Sequence, residues 1–135
     1  MACALYPKYK RELLEADIDM LVDTINVAMV TASYVYSAAH EFWSSANANV
    51  VGTPTALSSK STTVEDACFD AADVTFNSVT GSQVTALILY KDTGSAATSP
   101  LIAYIDSAAS GLPVTPNGGN ITVSWQATSP YIFKL

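Results

Sequence analysis

Charge is the scarcest commodity in this sequence. Only 13% of its 135 residues are charged, about half the usual share for a soluble globular protein. Basic residues are scarcer still, six against twelve acids, for a net charge of −6. Nonspecific nucleic-acid binding needs a cationic surface that displaces counterions, so DNA and RNA are not expected partners. Histidine occurs once, as His40, and cysteine twice, as Cys3 and Cys68. Their separation excludes a disulfide framework and a paired zinc spacing, and two reduced thiols are expected, Cys68 buried and Cys3 near a terminus. No run approaches the ~18 apolar residues of a membrane-spanning helix, and no membrane partner is expected. The amino end lacks the charged and apolar regions of a signal peptide, which implies folding in the cytoplasm. Glycine-rich phosphate loops, nucleophile elbows and zinc spacings are missing too. We therefore expect no catalytic residue, no cofactor and no metal.

What is present is apolar. Half of the residues are hydrophobic, and this length suits a single domain, residues 1–135, with a core that forms without metal or disulfide support. A surface so poor in charge favours self-association or docking on a larger assembly.

The beginning of the chain reads as a helix over about residues 7–22. Pro7 suits a first turn. In "KYKRELLEADIDML", Tyr9, Leu13 and Met20 fall near one face with Leu14, Ile18 and Leu21 alongside. The cations Lys8, Lys10 and Arg11 are balanced by Glu15, Asp17, Asp19 and Asp23, which predicts a solvated, ion-paired face.

After Asp23 the period changes to two. In "DTINVAMV", Ile25, Val27 and Met29 alternate with Asn26 and Ala28. Further strands are expected in "VVGTPTALS", "DVTFNSV", "QVTALILYKD", "PLIAYID", "NITVSWQ" and "YIFKL", the last building the carboxyl end into a sheet. Thr80-Gly81-Ser82, Asp92-Thr93-Gly94, Ser110-Gly111 and Asn117-Gly118-Gly119 supply turns between them. "YSAAHEFWSSA" reads as a short helix or packed loop, and the Ser/Thr/Ala-rich residues 52–63 and 93–99 as mobile surface loops. "ITVSWQ" alternates like a half-solvated strand. "VTALILYK" and "PLIAYI" are apolar on both faces, and either the helix or a neighbouring subunit is expected to cover the second one. The pattern predicts a mainly β fold, an antiparallel β-sandwich or flattened barrel with an N-terminal α-helix.

Candidate chemistry is thin. His40 beside Glu41 is expected to be a hydrogen-bonded histidine at the edge of an aromatic cluster. Asp17/Asp19, Glu65/Asp66 and Asp70/Asp73 lack the pattern of a calcium loop, and Asp70 and Asp73 are expected to cap their own backbone. Tyr34, Tyr36, Phe42, Trp43 and Trp125 form either a carbohydrate platform or packed core. "NIT" at 120–122 matches a glycosylation acceptor by chance. In "GLPVTPNGGNITVSW", both Asn117-Gly118 and Gly118-Gly119 tolerate positive φ, and the two prolines deny the strand ladder its donors, so that stretch is specified for shape.

In its order "LYPKYKRELL", "FDAADVTF", "YKDTG", "SPLIAYID" and "GLPVTPNGG", the chain resembles a family of small virion structural proteins of tailed bacteriophages. The resemblance implies a non-enzymatic virion component made in the host bacterial cytoplasm. Its implied role is a capsid decoration or cement protein docking across capsomers, with the major capsid protein as partner and homo-oligomers. A neck, tail or baseplate component, or a carbohydrate-binding module on a host-recognition fibre, is the alternative. Two segments are candidate docking surfaces: Tyr6, Tyr9, Lys10 and Arg11 in the helix, whose other role would be to cover the sheet, and Pro113, Pro116 and Asn117 in the turn.

Overall fold

Strand β1 (Cys3–Leu5) leads into helix α1 (Pro7–Leu14), and β2 (Ile25–Val30) follows. Next come β3 (Val50–Ala56), β4 (Ser61–Thr62), β5 (Cys68–Asp70) and β6 (Val74–Phe76). The chain closes with β7 (Ala86–Lys91), β8 (Leu101–Ile105), β9 (Ile121–Val123) and β10 (Phe133–Lys134). The computed structural model describes residues 3–106 and 112–135; the expected Ser110-Gly111 turn lies outside them.

The strands form a five-stranded sheet in the order β1-β8-β7-β2-β3, a three-stranded sheet β10-β5-β4 and a pair β6-β9. Every named strand pairing is antiparallel. The fold is the expected mainly β antiparallel sandwich with an N-terminal helix.

Its centre is the β2-β7-β8 ladder. Successive side chains of a strand point to opposite faces. Val27, Met29, Leu87 and Leu89 therefore share one face, and Ala28, Ile88 and Tyr90 the other. All six residues of β2 are buried, including Asn26, which sequence alternation had placed opposite the apolar side. Its amide donates to Tyr90 Oη (3.3 Å) and Asp92 Oδ2 (3.1 Å), which offsets the cost of desolvating it. Cover on both faces comes from the chain itself. Trp43 stacks on Tyr90 at 4.6 Å, and Tyr34 and Tyr36 lie 6.0 and 5.8 Å from Tyr104, all from the segment between β2 and β3. On the opposite face Met29 lines a cavity with Leu112, Val114, Ile121 and Val123, which pack on the same core.

The helix is shorter than its apolar stripe predicts. It ends at Leu14, and Ala16 takes a left-handed conformation (φ 61°). The Asp17 N–H then reaches Glu12 O (2.9 Å) and the Ala16 N–H reaches Leu13 O (3.2 Å), the bonding of a helix stop. Beyond it, Asp19 Oδ1 accepts the N–H groups of Leu21 (2.9 Å) and Val22 (3.2 Å). A short aspartate that satisfies nearby amides this way competes with helix formation. Leu14, expected alongside the buried face, is 90% exposed.

Residues 52–63, expected as a mobile loop, hold most of β3 and all of β4. β3 is an edge strand whose register against β2 slips between Thr55 and Val51. Gly52 (φ 71°) and Pro54 fall in that bulge, where a missing donor is tolerated. β1, β4 and β5 were not foreseen; each has only two or three residues. "YSAAHEFWSSA" is a packed loop with a single 3-10 turn at Trp43–Ser45.

The Asn117-Gly118-Gly119 turn uses one of its glycines as expected. Gly118 has φ 87°, whereas neither Asn117 nor Gly119 is left-handed. Asn117 Oδ1 instead accepts the Gly119 N–H (2.9 Å), and Gly118 N–H binds Val79 O (2.8 Å). The prolines do not exclude pairing either: Val114, between them, exchanges two bonds with Val84 (2.8 and 3.0 Å).

Two outcomes are expected from denaturant unfolding. Ile88→Ala, at a fully buried position, should cost about 2–5 kcal/mol. Gly118→Ala has open space, its nearest side-chain contact being 3.9 Å away. It should cost only the left-handed conformation, about 1–2 kcal/mol.

Candidate docking surface

The residues expected to dock fall into two groups. Tyr6 and Tyr9 are buried and cannot offer their rings to a partner. Tyr6 Oη lies 2.6 Å from Tyr34 Oη, and its ring packs against Tyr36 at 5.0 Å. Burial and the Tyr34 hydroxyl push its phenol well above the ordinary range. Tyr9 meets the edge of Phe133 at 6.0 Å, and burial raises its phenol likewise. Both belong to the alternative weighed for this segment, a helix that covers the sheets. Lys10, Arg11, Pro113 and Asn117 are exposed, and Pro116 is half-buried. Alternation along a single helical turn decides this split: Tyr6 and Tyr9 face inward while Lys10 and Arg11 face solvent.

The ion-paired helix face exists, but with partly different partners. Lys8 Nζ binds Glu41 Oε2 (3.1 Å), and Arg11 bridges Glu12 (2.7 Å), Glu15 (3.6 Å) and Glu41 (3.2 Å). Glu41 is the residue that sequence proximity missed; it ties the helix to the loop after β2. The Lys8 hydrogen bond, with Arg11 beside it, holds the Glu41 carboxyl below the usual range. Asp23 turns away to Lys91 (3.0 Å).

The remaining candidates are structural. His40 Nδ1 lies 2.9 Å from Tyr34 Oη at the rim of the tyrosine cluster, as expected. Trp43 and Trp125 are each 7% exposed, so neither indole offers a face to a sugar. Asp73 Oδ1 accepts the Trp125 N–H (3.1 Å) across the chain and does not cap its own backbone as expected. Both cysteines are free, Cys68 buried and Cys3 exposed. Glu12, Glu15 and Asp17 bring carboxylate oxygens within 4.8 Å of one another at the end of α1, an exposed acidic cluster.

A cleft of about 500 Å³ lies between the end of α1, the loop after it and the β10-β5-β4 sheet. Tyr9, Ile18, Met20, Phe69 and Phe133 are buried side chains along it. Leu21, Val64 and Leu135 line it while exposed to solvent, Val64 completely. Val22, beside Leu21, is 79% exposed. Single exposed apolar side chains are ordinary, but a group gathered around an apolar cleft makes a candidate interaction surface. Sequence placed Tyr9 among the docking candidates and Ile18, Met20 and Leu21 on the helix stripe, but three separate segments build the cleft, so their meeting with Val64, Phe69 and Phe133 was not visible there.

The loop carrying Leu21 and Val22 is firmly held. Asp23 Oδ2 accepts the Asp19 N–H (2.8 Å), Lys91 Nζ binds both Asp23 and Asp17 O (2.8 Å), and Lys60 donates to Asp23 O. Partial burial opposes ionisation of Asp23, but the Asp19 amide and the two lysines outweigh it and lower its pKa. Apolar groups on a pre-ordered loop bind with less entropy lost.

A depressed carboxyl stabilises the fold above its unfolded pKa, and that contribution is lost as pH falls through the folded value. Lys91→Met should therefore lower Tm near neutral pH and shrink the difference from wild type as pH drops below about 4. Thermal melts across that range check this. Hydrogen exchange at Leu21 and Val22 should quicken in the same variant. No protein-family model matches this chain, and no curated protein matches it.

Proposed function

We propose that this chain is a non-enzymatic structural component of a tailed-bacteriophage virion, a capsid decoration protein that docks on the major capsid protein. The observation that supports the docking part most directly is the apolar cleft with exposed Val64, Leu135 and Leu21 at its edge. The sequence resemblance supplies the virion context. A low charge content agrees with a surface that is covered in an assembly. Modest contacts repeated by symmetry add up to high avidity, so one small patch per copy suffices. Of the groups considered for chemistry, Asp73 is tied to a backbone amide, Glu41 to Lys8 and Arg11, and His40 to a tyrosine.

The reading makes the copy number its first test. Quantitative mass spectrometry of purified virions should find this chain at a simple ratio to the major capsid protein. A few copies per particle would move it to the neck, tail or baseplate, and absence from particles would overturn the virion reading. Val64→Asp and Val22→Glu, both at exposed positions, should leave Tm nearly unchanged. Each should reduce particle occupancy by about tenfold or more, the effect of losing one interface hot spot.

A further inference from the structure

The cleft is apolar inside and acidic around. Asp19 lines it, Glu15 and Asp17 flank the lining residues Ala16 and Ile18, and Glu65 and Asp66 follow Val64. Glu12 completes the carboxylate cluster with Glu15 and Asp17. Arg11 and Lys134 form ion pairs with three of these six acids, Glu12, Glu15 and Asp66, while Lys91 Nζ, paired with Asp23, donates to Asp17 O (2.8 Å). Arg11 is shared among Glu12, Glu15 and Glu41, and Lys134 lies 3.9 Å from Asp66. Asp17 and Glu65 have no ion pair among the described residues. An ionised carboxylate accepts several hydrogen bonds, so Asp17 and Glu65 retain acceptor capacity that no ion pair among the described residues fills.

That charge distribution selects among occupants. A second copy docked by the same face would set one acidic rim against another, on chains of net charge −6 each, and like charges brought together are disfavoured. A segment of opposite charge gains on both counts, covering the apolar floor and neutralising the rim. The size fits a short stretch of polypeptide, since about 500 Å³ lies in the range that buries a drug-sized group. We propose that the cleft between α1 and the β10-β5-β4 sheet receives a short segment of a partner protein whose apolar side chains are flanked by lysine or arginine.

This inference rests on the docking reading and specifies the partner's chemistry. Leu13, Ile18 and Phe133 meet the segment's apolar side chains, while Glu15, Asp17, Asp19 and Glu65 meet its cations. Apolar contact supplies the affinity, and the acids supply selectivity and a salt-dependent association rate.

The test is an amide NMR titration of the full chain with two synthetic peptides. They share the same leucines, with lysines between them in one and glutamates in the other. The lysine peptide should shift the amides of Ile18, Leu21, Val64 and Phe133. It should bind at least about tenfold more tightly than the glutamate peptide, and lose affinity between about 50 and about 500 mM salt. Val64→Lys and Glu15→Lys, at exposed positions, should each weaken it with Tm nearly unchanged. Equal binding of both peptides, no shift at the cleft, or shifts spread over other acidic surfaces that survive Val64→Lys would each overturn the inference. Concentration-dependent shifts of the cleft amides without peptide would also overturn it, by assigning the cleft to a second copy. Particle occupancy of Val64→Asp reads the parent proposal separately. If occupancy falls while neither peptide binds, docking stands and the basic-segment chemistry does not. If the lysine peptide binds but the chain is missing from virions, the cleft chemistry stands and the virion role does not.

Discussion

β7 lies between β2 and β8 with five of its six residues buried, and every side chain of β2 is buried as well. A ladder apolar on both faces cannot sit at a surface, so the rest of the chain must cover it twice. Burying one Ile or Leu completely stabilises the fold by roughly 1.5–3 kcal/mol, and such side chains lie on both faces here. The two layers follow from that requirement. The loop after β2 turns its aromatic rings onto Tyr90 and Tyr104. The Leu112–Val123 stretch, with β9 at its end, packs on the same core on the side of Met29.

The short strands are a consequence of this arrangement. β4, β5 and β10 have two or three residues each, too few to persist as isolated sheet. They persist because Phe69, Ile132 and Phe133 are buried in the shared core, and Tyr9 of the helix packs on Phe133. The helix has only eight residues, below the length at which a helix is stable alone in water. Helix and small sheet hold each other, and the cleft is the part of their junction left uncovered.

The cleft is therefore made by two constraints of different kinds. Apolar burial creates the floor, while charge fixes the edge. Lys91 and Lys60 hold the loop after α1 through Asp23 and backbone oxygens, so Leu21 and Val22 are displayed to solvent and not folded inward. With so few cations in the chain, holding this loop with two of them leaves Asp17, Asp19 and Glu65 near the cleft without an ion pair among the described residues.

Alternation, turn residues and composition were enough to read the antiparallel sandwich, most of its longer strands and the doubly covered ladder, because burial and backbone conformation act on neighbouring residues. The single His40 and the buried Cys68 were legible for the same reason. The helix end was not, since an apolar stripe continues through Ile18 and Met20 although the backbone has already turned at Ala16. Nor was the inward turn of Tyr6 and Tyr9, whose partners Tyr34 and Phe133 are far away in sequence. The sequence by itself determined the class of fold and the turns at Gly81, Gly94 and Gly118. Only the tertiary structure decided which apolar residues stay outside and which acids gather around them, because the cleft unites three segments that no local period connects.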